Sequence, residues 1–299
     1  MNRDQAHNLR TLMGNPQRGR LGRRKAVVRV VASGKGGVGK STVTLNLGIA
    51  LAAMERRVLL VDADLNMANL HVLMGVTPSA TLKDVALGKK TVPEIIVRGP
   101  GDVDLLPAPS GALALVDLEK AAREMLLQQL GVLERLYDVI LIDTTAGVSG
   151  QVMDFVVGSD DTIVVITPEP TAVIDAYALM KIAVARRNDL RFHVVVNQTE
   201  SEQAARAAFQ KLQVAAQQFL NLSLQPTGYI LSDRKVSQAV QAQSPLLVEY
   251  PKTASAHCLR DIAERLLKNG PQPELPETGR PGFFGRVAQV AKELVDEMP

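Results

Sequence analysis

Directly after the apolar run Val27 to Ala32, and directly before a helical pattern, stands Gly34-Lys35-Gly36-Gly37-Val38-Gly39-Lys40-Ser41. This is the G-x-x-x-x-G-K-S spacing in its strand, loop, helix context, and no other feature constrains the fold as tightly. The glycines let backbone N–H groups converge on phosphate oxygens, and Lys40 brings a point charge to the β and γ phosphates. The Ser41 hydroxyl suits a Mg²⁺ shell, and Thr42 closes the nucleotide-binding string. The loop predicts a nucleotide-binding α/β protein.

Four further runs, Val58 to Val61, Val139 to Ile142, Ile163 to Ile166 and Phe192 to Val196, are almost continuously apolar and β-branched. Such runs read as strands buried on both faces, hence a parallel sheet. Helix-length stretches lie between them. Ser41 to Met54 spaces Val43, Leu47, Leu51 and Met54 along one face, and Ala122 to Leu136 does the same with Met125, Leu126, Gln129, Leu130 and Leu133. Alternating strands and helices predict a doubly wound, mostly parallel sheet with helices on both faces.

The 299 residues suffice for one large domain with tails. Gly-, Pro- and Arg-rich residues 11–25 and the proline-rich stretch Pro271 to Gly282 read as linkers. The expected division is 1–25 as terminal segment and basic linker, 26–270 as the nucleotide-binding domain, and 271–299 as tether and C-terminal helix. No apolar run approaches the ~18 residues of a membrane span, and Met1 to Gly14 holds Arg3, Asp4 and Arg10 without a secretory core. A cytoplasmic protein is expected. The single cysteine, Cys258, reads as packing and excludes a disulfide framework within one chain. A net charge of +3 does not by itself suggest nucleic acid, and the basic run Arg18, Arg20, Arg23, Arg24, Lys25 reads as a solvated linker.

Three carboxylates stand at or just past the carboxyl ends of apolar strands: Asp62, Asp64 and Asp143. That sheet edge is where doubly wound folds bind ligands. Asp143 is the expected Walker B carboxylate, acting on Mg²⁺ with Ser41 and Asp62, while Gly147 offers a backbone amide to the γ-phosphate. Asp64 is placed to orient the attacking water.

Lys35 is a second lysine in the loop, costly beside Lys40 unless an anion lies between them. The string Lys35 to Ser41 resembles K-G-G-x-G-K-[ST] of the MinD/ParA class of P-loop ATPases. The resemblance implies that Lys35 acts on the phosphates of a partner subunit, that ATP holds two copies together as a homodimer, and that hydrolysis releases them. The segment Val58 to Leu70 is similar to the switch I of that class and Asp143 to Gly147 to its switch II. Asn197 falls where the class has an adenine-contacting asparagine. Asn66 and His71 depart from the switch I pattern, where glycine and an acidic residue are expected.

The opening segment Asp4-Gln5-Ala6-His7-Asn8-Leu9-Arg10 resembles the D-Q-A-x-x-L-R activator motif of the FlhG (YlxH) family, flagellar relatives of MinD. Asp4, Gln5, Ala6, Leu9 and Arg10 then imply docking on FlhF, an SRP-type GTPase, with Gln5 at the bound GTP. Pro168 to Ala178 also resembles that family, and reads locally as a loop capped by Thr171 leading into a helix. Phe284, Val287, Ala291 and Leu294 share one helical face and, with Phe283 before them, are similar in placement to the membrane-targeting helix of the MinD group. Two such helices on an ATP dimer would bind membrane lipid with avidity, peripherally on the inner face of the cell membrane. The resemblance implies control of flagellar number and placement through FlhF, flagellar switch-complex proteins and a flagellar transcription regulator. Two alternatives stay open: a MinD-type division-site ATPase, and a ParA-type partitioning ATPase that binds DNA through Arg18 to Lys25.

Overall fold

The computed structural model describes residues 25–64, 69–107, 120–270 and 281–296, with side chains described for all of these except 120–124 and 291–296. The Asp4 to Arg10 motif, Arg18 to Arg24, Asn66 and most of the proline-rich tether lie outside the described residues.

The apolar runs form strands β1 (Val27–Ala32), β2 (Val58–Ala63), β5 (Val139–Thr144), β6 (Asp161–Ile166) and β7 (Phe192–Thr199). With β3 (Val97–Arg98), β4 (Val103–Leu106) and β8 (Gln225–Leu231) they make one eight-stranded sheet in the order β3-β4-β2-β5-β1-β6-β7-β8. Every neighbouring pair is parallel except β3 with β4. The order reverses on either side of β1, so the loop after β1 sits at the switch point where such sheets bind ligands.

The core has two layers, as burial on both strand faces requires. One contains Val30, Leu59, Ile142 and Val164 under α5 (Lys120–Leu136), α6 (Gly150–Gly158), α7 (Pro170–Arg186) and α8 (Glu202–Leu220). The other contains Val31, Leu60, Leu141 and Val165 under α1 (Lys40–Ala53) and α11 (Ala254–Asn269), and Cys258 packs against it. Short helices α2 (Leu70–Leu73), α3 (Leu82–Ala86) and α4 (Val92–Ile95) follow β2, and α9 (Arg234–Gln241) and α10 (Leu246–Glu249) follow β8. Val43, Leu47 and Leu51 are buried on α1, and Leu126, Leu130 and Leu133 on α5. Met125 is 48 % exposed, contrary to expectation. It lies one residue, hence about 100° around the helix, from the buried stripe.

The C-terminal helix α12 (Phe283–Asp296) corrects a second expectation. Phe283, Phe284 and Val287, expected to face a membrane, are buried in the core layer of α5 and α6. Phe283 stacks on Phe155 with ring centroids 6.3 Å apart and meets Phe284 edge-on at 5.1 Å. A side chain at Gly158 would strike Val287, so the glycine ending α6 lets α12 approach. Polar contacts clasp the helix as well. Arg286 donates from Nε to the Gly158 carbonyl at 2.8 Å and from Nη2 to Asp160 Oδ1 at 2.7 Å. Buried Glu134 accepts from the Phe284 amide at 3.4 Å and pairs with Lys25 at 3.1 Å. Periodicity defines an apolar face but not its partner; here the partner is the protein core. The side chains of Ala291 and Leu294 are outside the described residues.

Candidate nucleotide site

The loop leaves β1 at Ser33 and enters α1 at Lys40, with Gly37 at φ 79° and Gly39 at φ 84°. A side chain on Gly39 would strain that left-handed backbone and collide with Asn197. The loop therefore runs straight into the N-terminus of α1, where unpaired backbone amides favour phosphate oxygens.

Lys40 is only 7 % exposed, and its Nζ lies 2.8 Å from Asp143 Oδ1. Thr44, one helical turn after Lys40, donates to the same oxygen at 3.0 Å. Asp143 Oδ2 is buried with no hydrogen-bond partner. Asp62 lies beside Asp143 in the parallel register of β2 and β5. Its carboxylate accepts from the amides of Leu70 at 3.0 Å and Asp64 at 3.2 Å. Burial, reinforced by the charge of Asp143, pushes the Asp62 carboxyl up to about 7. Two adjacent buried carboxylates with an unpartnered oxygen, one of them paired with Lys40 of the phosphate loop, fit a hard divalent cation, and Ser41 follows Lys40 in the first turn of α1.

Of the predicted residues, Lys40, Asp62 and Asp143 come together here, and the Asp64 amide is bonded to Asp62. Gly147, at φ 100°, donates its amide to the Ser33 carbonyl at 2.8 Å, which ties switch II to the start of the loop. Asn197, expected to meet adenine, lies within β7 and donates to the Val38 carbonyl at 2.8 Å.

Lys35 has partners other than those of Lys40. Its Nζ donates to Glu169 Oε2 at 2.6 Å and to Thr171 Oγ1 at 2.9 Å. Thr171 is not the cap of its helix: Glu169 holds that position, Pro170 opens α7, and the Thr171 hydroxyl serves Lys35 instead. The sequence pointed to Lys35 but not to this pair. Thr44 was legible as the residue four beyond Lys40; Gln198, whose Nε2 donates to the Gly37 carbonyl at 3.2 Å, carried no motif signal.

Known proteins match this arrangement. A family model described as an AAA domain matches residues 26–191. The antiactivator FleN of Pseudomonas aeruginosa is 37% identical over 262 residues, covering 88% of this chain and 93% of that protein. The flagellum site-determining protein YlxH of Helicobacter pylori is 31% identical, with 86% and 88% covered. Among solved structures, the septum site-determining protein MinD of Pyrococcus horikoshii in complex with Mg-ADP superposes with a TM-score of 0.64 at 25% identity, covering 81% of this chain and 96% of that one. The fold and site define a P-loop ATPase with two lysines in its loop. The chain belongs to the MinD/ParA family of ATPases.

Proposed function

We propose that this ATPase is a flagellar regulator of the FlhG type, in which ATP assembles a dimer and hydrolysis dissolves it. The observation that carries the switch is Lys35: it is tied to Glu169 and Thr171 at the loop's rim, with 37 % of its side chain exposed, rather than to its own Lys40–Asp143 site. A lysine so placed can leave an exposed carboxylate for the phosphates of a second copy. Ser41, Asp62 and Asp143 would hold Mg²⁺, which neutralises phosphate charge when bound. Lys40 would position the β and γ phosphates, and Asp64 the attacking water.

The names of the relatives, an antiactivator and a flagellum site-determining protein, support the flagellar reading. Gln5 in Asp4 to Arg10 would stimulate the FlhF GTPase, and flagellar switch-complex proteins and a flagellar transcription regulator would be further partners. Membrane residence requires α12 to leave the core, because Phe283, Phe284 and Val287 are covered there. No helix among the described residues is long and apolar enough to cross a membrane.

The reading is tested by GTP hydrolysis of FlhF from the same organism, with a peptide spanning Met1 to Asn15 and its Gln5→Ala version. Stimulation that disappears in Gln5→Ala supports it. Equal rates with both peptides would leave an ATPase of this family without a flagellar target.

A further inference from the structure

Five non-glycine residues among those described have positive φ. Four sit where chains turn: Glu55 just after α1, Asp102 in the 3₁₀ turn Pro100–Asp102, Asn221 capping α8 and Gln243 just after α9. Gln198, at φ 55°, lies instead inside strand β7. An L-residue is strained in the left-handed region, and glutamine has no special tolerance of it. The strain coincides with a bulge: Val196 pairs with Tyr229 but Thr199 with Leu231, so β7 carries one residue more than β8 there.

The bulge turns two successive carboxamides toward the loop. Asn197 Nδ2 donates to the Val38 carbonyl at 2.8 Å and Gln198 Nε2 to the Gly37 carbonyl at 3.2 Å. In a trans peptide the C=O and the following N–H point in opposite directions from one rigid plane. Holding the Gly37 carbonyl therefore aims the Val38 N–H away from β7, and holding the Val38 carbonyl does the same for the Gly39 N–H. Gly36 and Gly37 are both exposed, so the peptide plane before Val38 would otherwise rotate at little cost. Gln198 is itself exposed, and a hydrogen bond in contact with water offsets backbone strain poorly. The strained residue is thus not explained by the stability of the fold, and strain of this kind gathers at ligand clamps.

We propose that Gln198 is a positioning residue for the nucleotide: its carboxamide braces the Gly37–Val38 peptide and so fixes the direction of a phosphate-binding amide. It acts through the loop and does not enter the chemistry. The inference rests on nucleotide binding by the family, not on the flagellar reading.

Two variants of the full chain separate brace from strain. Gln198→Ala removes the carboxamide but keeps a side chain on a left-handed backbone, whereas Gln198→Gly removes both. Three quantities are measured: affinity for Mg-ADP by calorimetry, kcat at saturating ATP and protein, and the melting midpoint without nucleotide. Both variants should weaken Mg-ADP about three- to tenfold, the loss of one hydrogen bond's worth of order. Their kcat should stay within about twofold of the parent, as expected for a change in binding alone. Gln198→Gly should also melt above the parent, while Gln198→Ala should not. Unchanged Mg-ADP affinity in Gln198→Gly would overturn the proposal, as would a fall in kcat with affinity intact. A Gln198→Gly variant that melts below the parent would equally overturn it, since the strain would then be absent.

Discussion

Lys35 and Glu169 form an ion pair of 2.6 Å between the phosphate loop and the start of α7, and Thr171 holds the same ammonium at 2.9 Å. The pair joins two segments 134 residues apart at the rim of the nucleotide site. It is exposed, with 37 % and 62 % of the two side chains accessible, so its strength is about 1 kcal/mol or less. A contact that weak restrains Lys35 without locking it.

Removing the carboxylate should therefore favour assembly. In Glu169→Gln the protein concentration giving half-maximal ATPase activity should fall by about four- to twenty-fivefold, the equivalent of two such pairs, one for each copy in the dimer. Activity titrated against enzyme concentration measures it, and a curve superimposable on the parent's would show that Glu169 does not restrain Lys35.

The inner pair is of another kind. Lys40 and Asp143 are both buried, and removing one partner leaves an uncompensated charge, typically costing about 3–5 kcal/mol. Lys40→Ala should lower the melting midpoint of the nucleotide-free protein and reduce ATP turnover by at least about 10²-fold. Lys35→Ala, which loses only an exposed pair, should leave that melting midpoint close to the parent's. Equal melting midpoints for the parent and Lys40→Ala would contradict the assignment of this pair.

Asp62 predicts a pH dependence for the protein free of nucleotide and metal. Its value rises from 3.8 to about 7, through burial first and the charge of Asp143 second. The folded protein thus holds this proton more tightly than the unfolded chain. The contribution is fully present below about pH 4 and is lost as pH rises through about 7, by at most about 4 kcal/mol. Asp62→Asn should flatten that slope in denaturant unfolding between pH 5 and pH 8. A variant retaining the parent slope would place the titration elsewhere.

The docked helix α12 gives a prediction on lipid. Arg286 links it to the Gly158 carbonyl and Asp160, and its loss should release the helix more often. Arg286→Ala should increase co-sedimentation with anionic vesicles in the absence of ATP, and Phe283→Asp should abolish vesicle binding with ATP present. Vesicle binding by Phe283→Asp equal to the parent's would exclude the apolar face as the lipid contact.

The phosphate loop, the five central strands and the carboxylates at their ends were legible because each rests on a local signal: spacing, apolar run or strand terminus. Val58 to Val61 and Val139 to Ile142 did become β2 and β5, and their register does set Asp62 beside Asp143. Where a feature depended on a distant partner the sequence was silent. The stripe of Phe283, Phe284 and Val287 is equally suited to lipid or to α6, and only packing against Gly158 and Phe155 decides between them. Thr171 looked like a cap because capping is local, whereas its actual partner is Lys35. The strain at Gln198 follows from a strand bulge that no residue type announces.

In the proposed cycle nucleotide switches this ATPase between one copy and two, with Lys35 reaching across. Sedimentation velocity of the full chain with Mg²⁺ and a non-hydrolysable ATP analogue, against Mg-ADP, tests it most directly. The expected result is a dimer with the analogue, a monomer with ADP, and a monomer in both for Lys35→Ala, which still binds nucleotide. A Lys35→Ala protein that dimerises like the parent, or a parent that stays monomeric when saturated with the analogue, would contradict it.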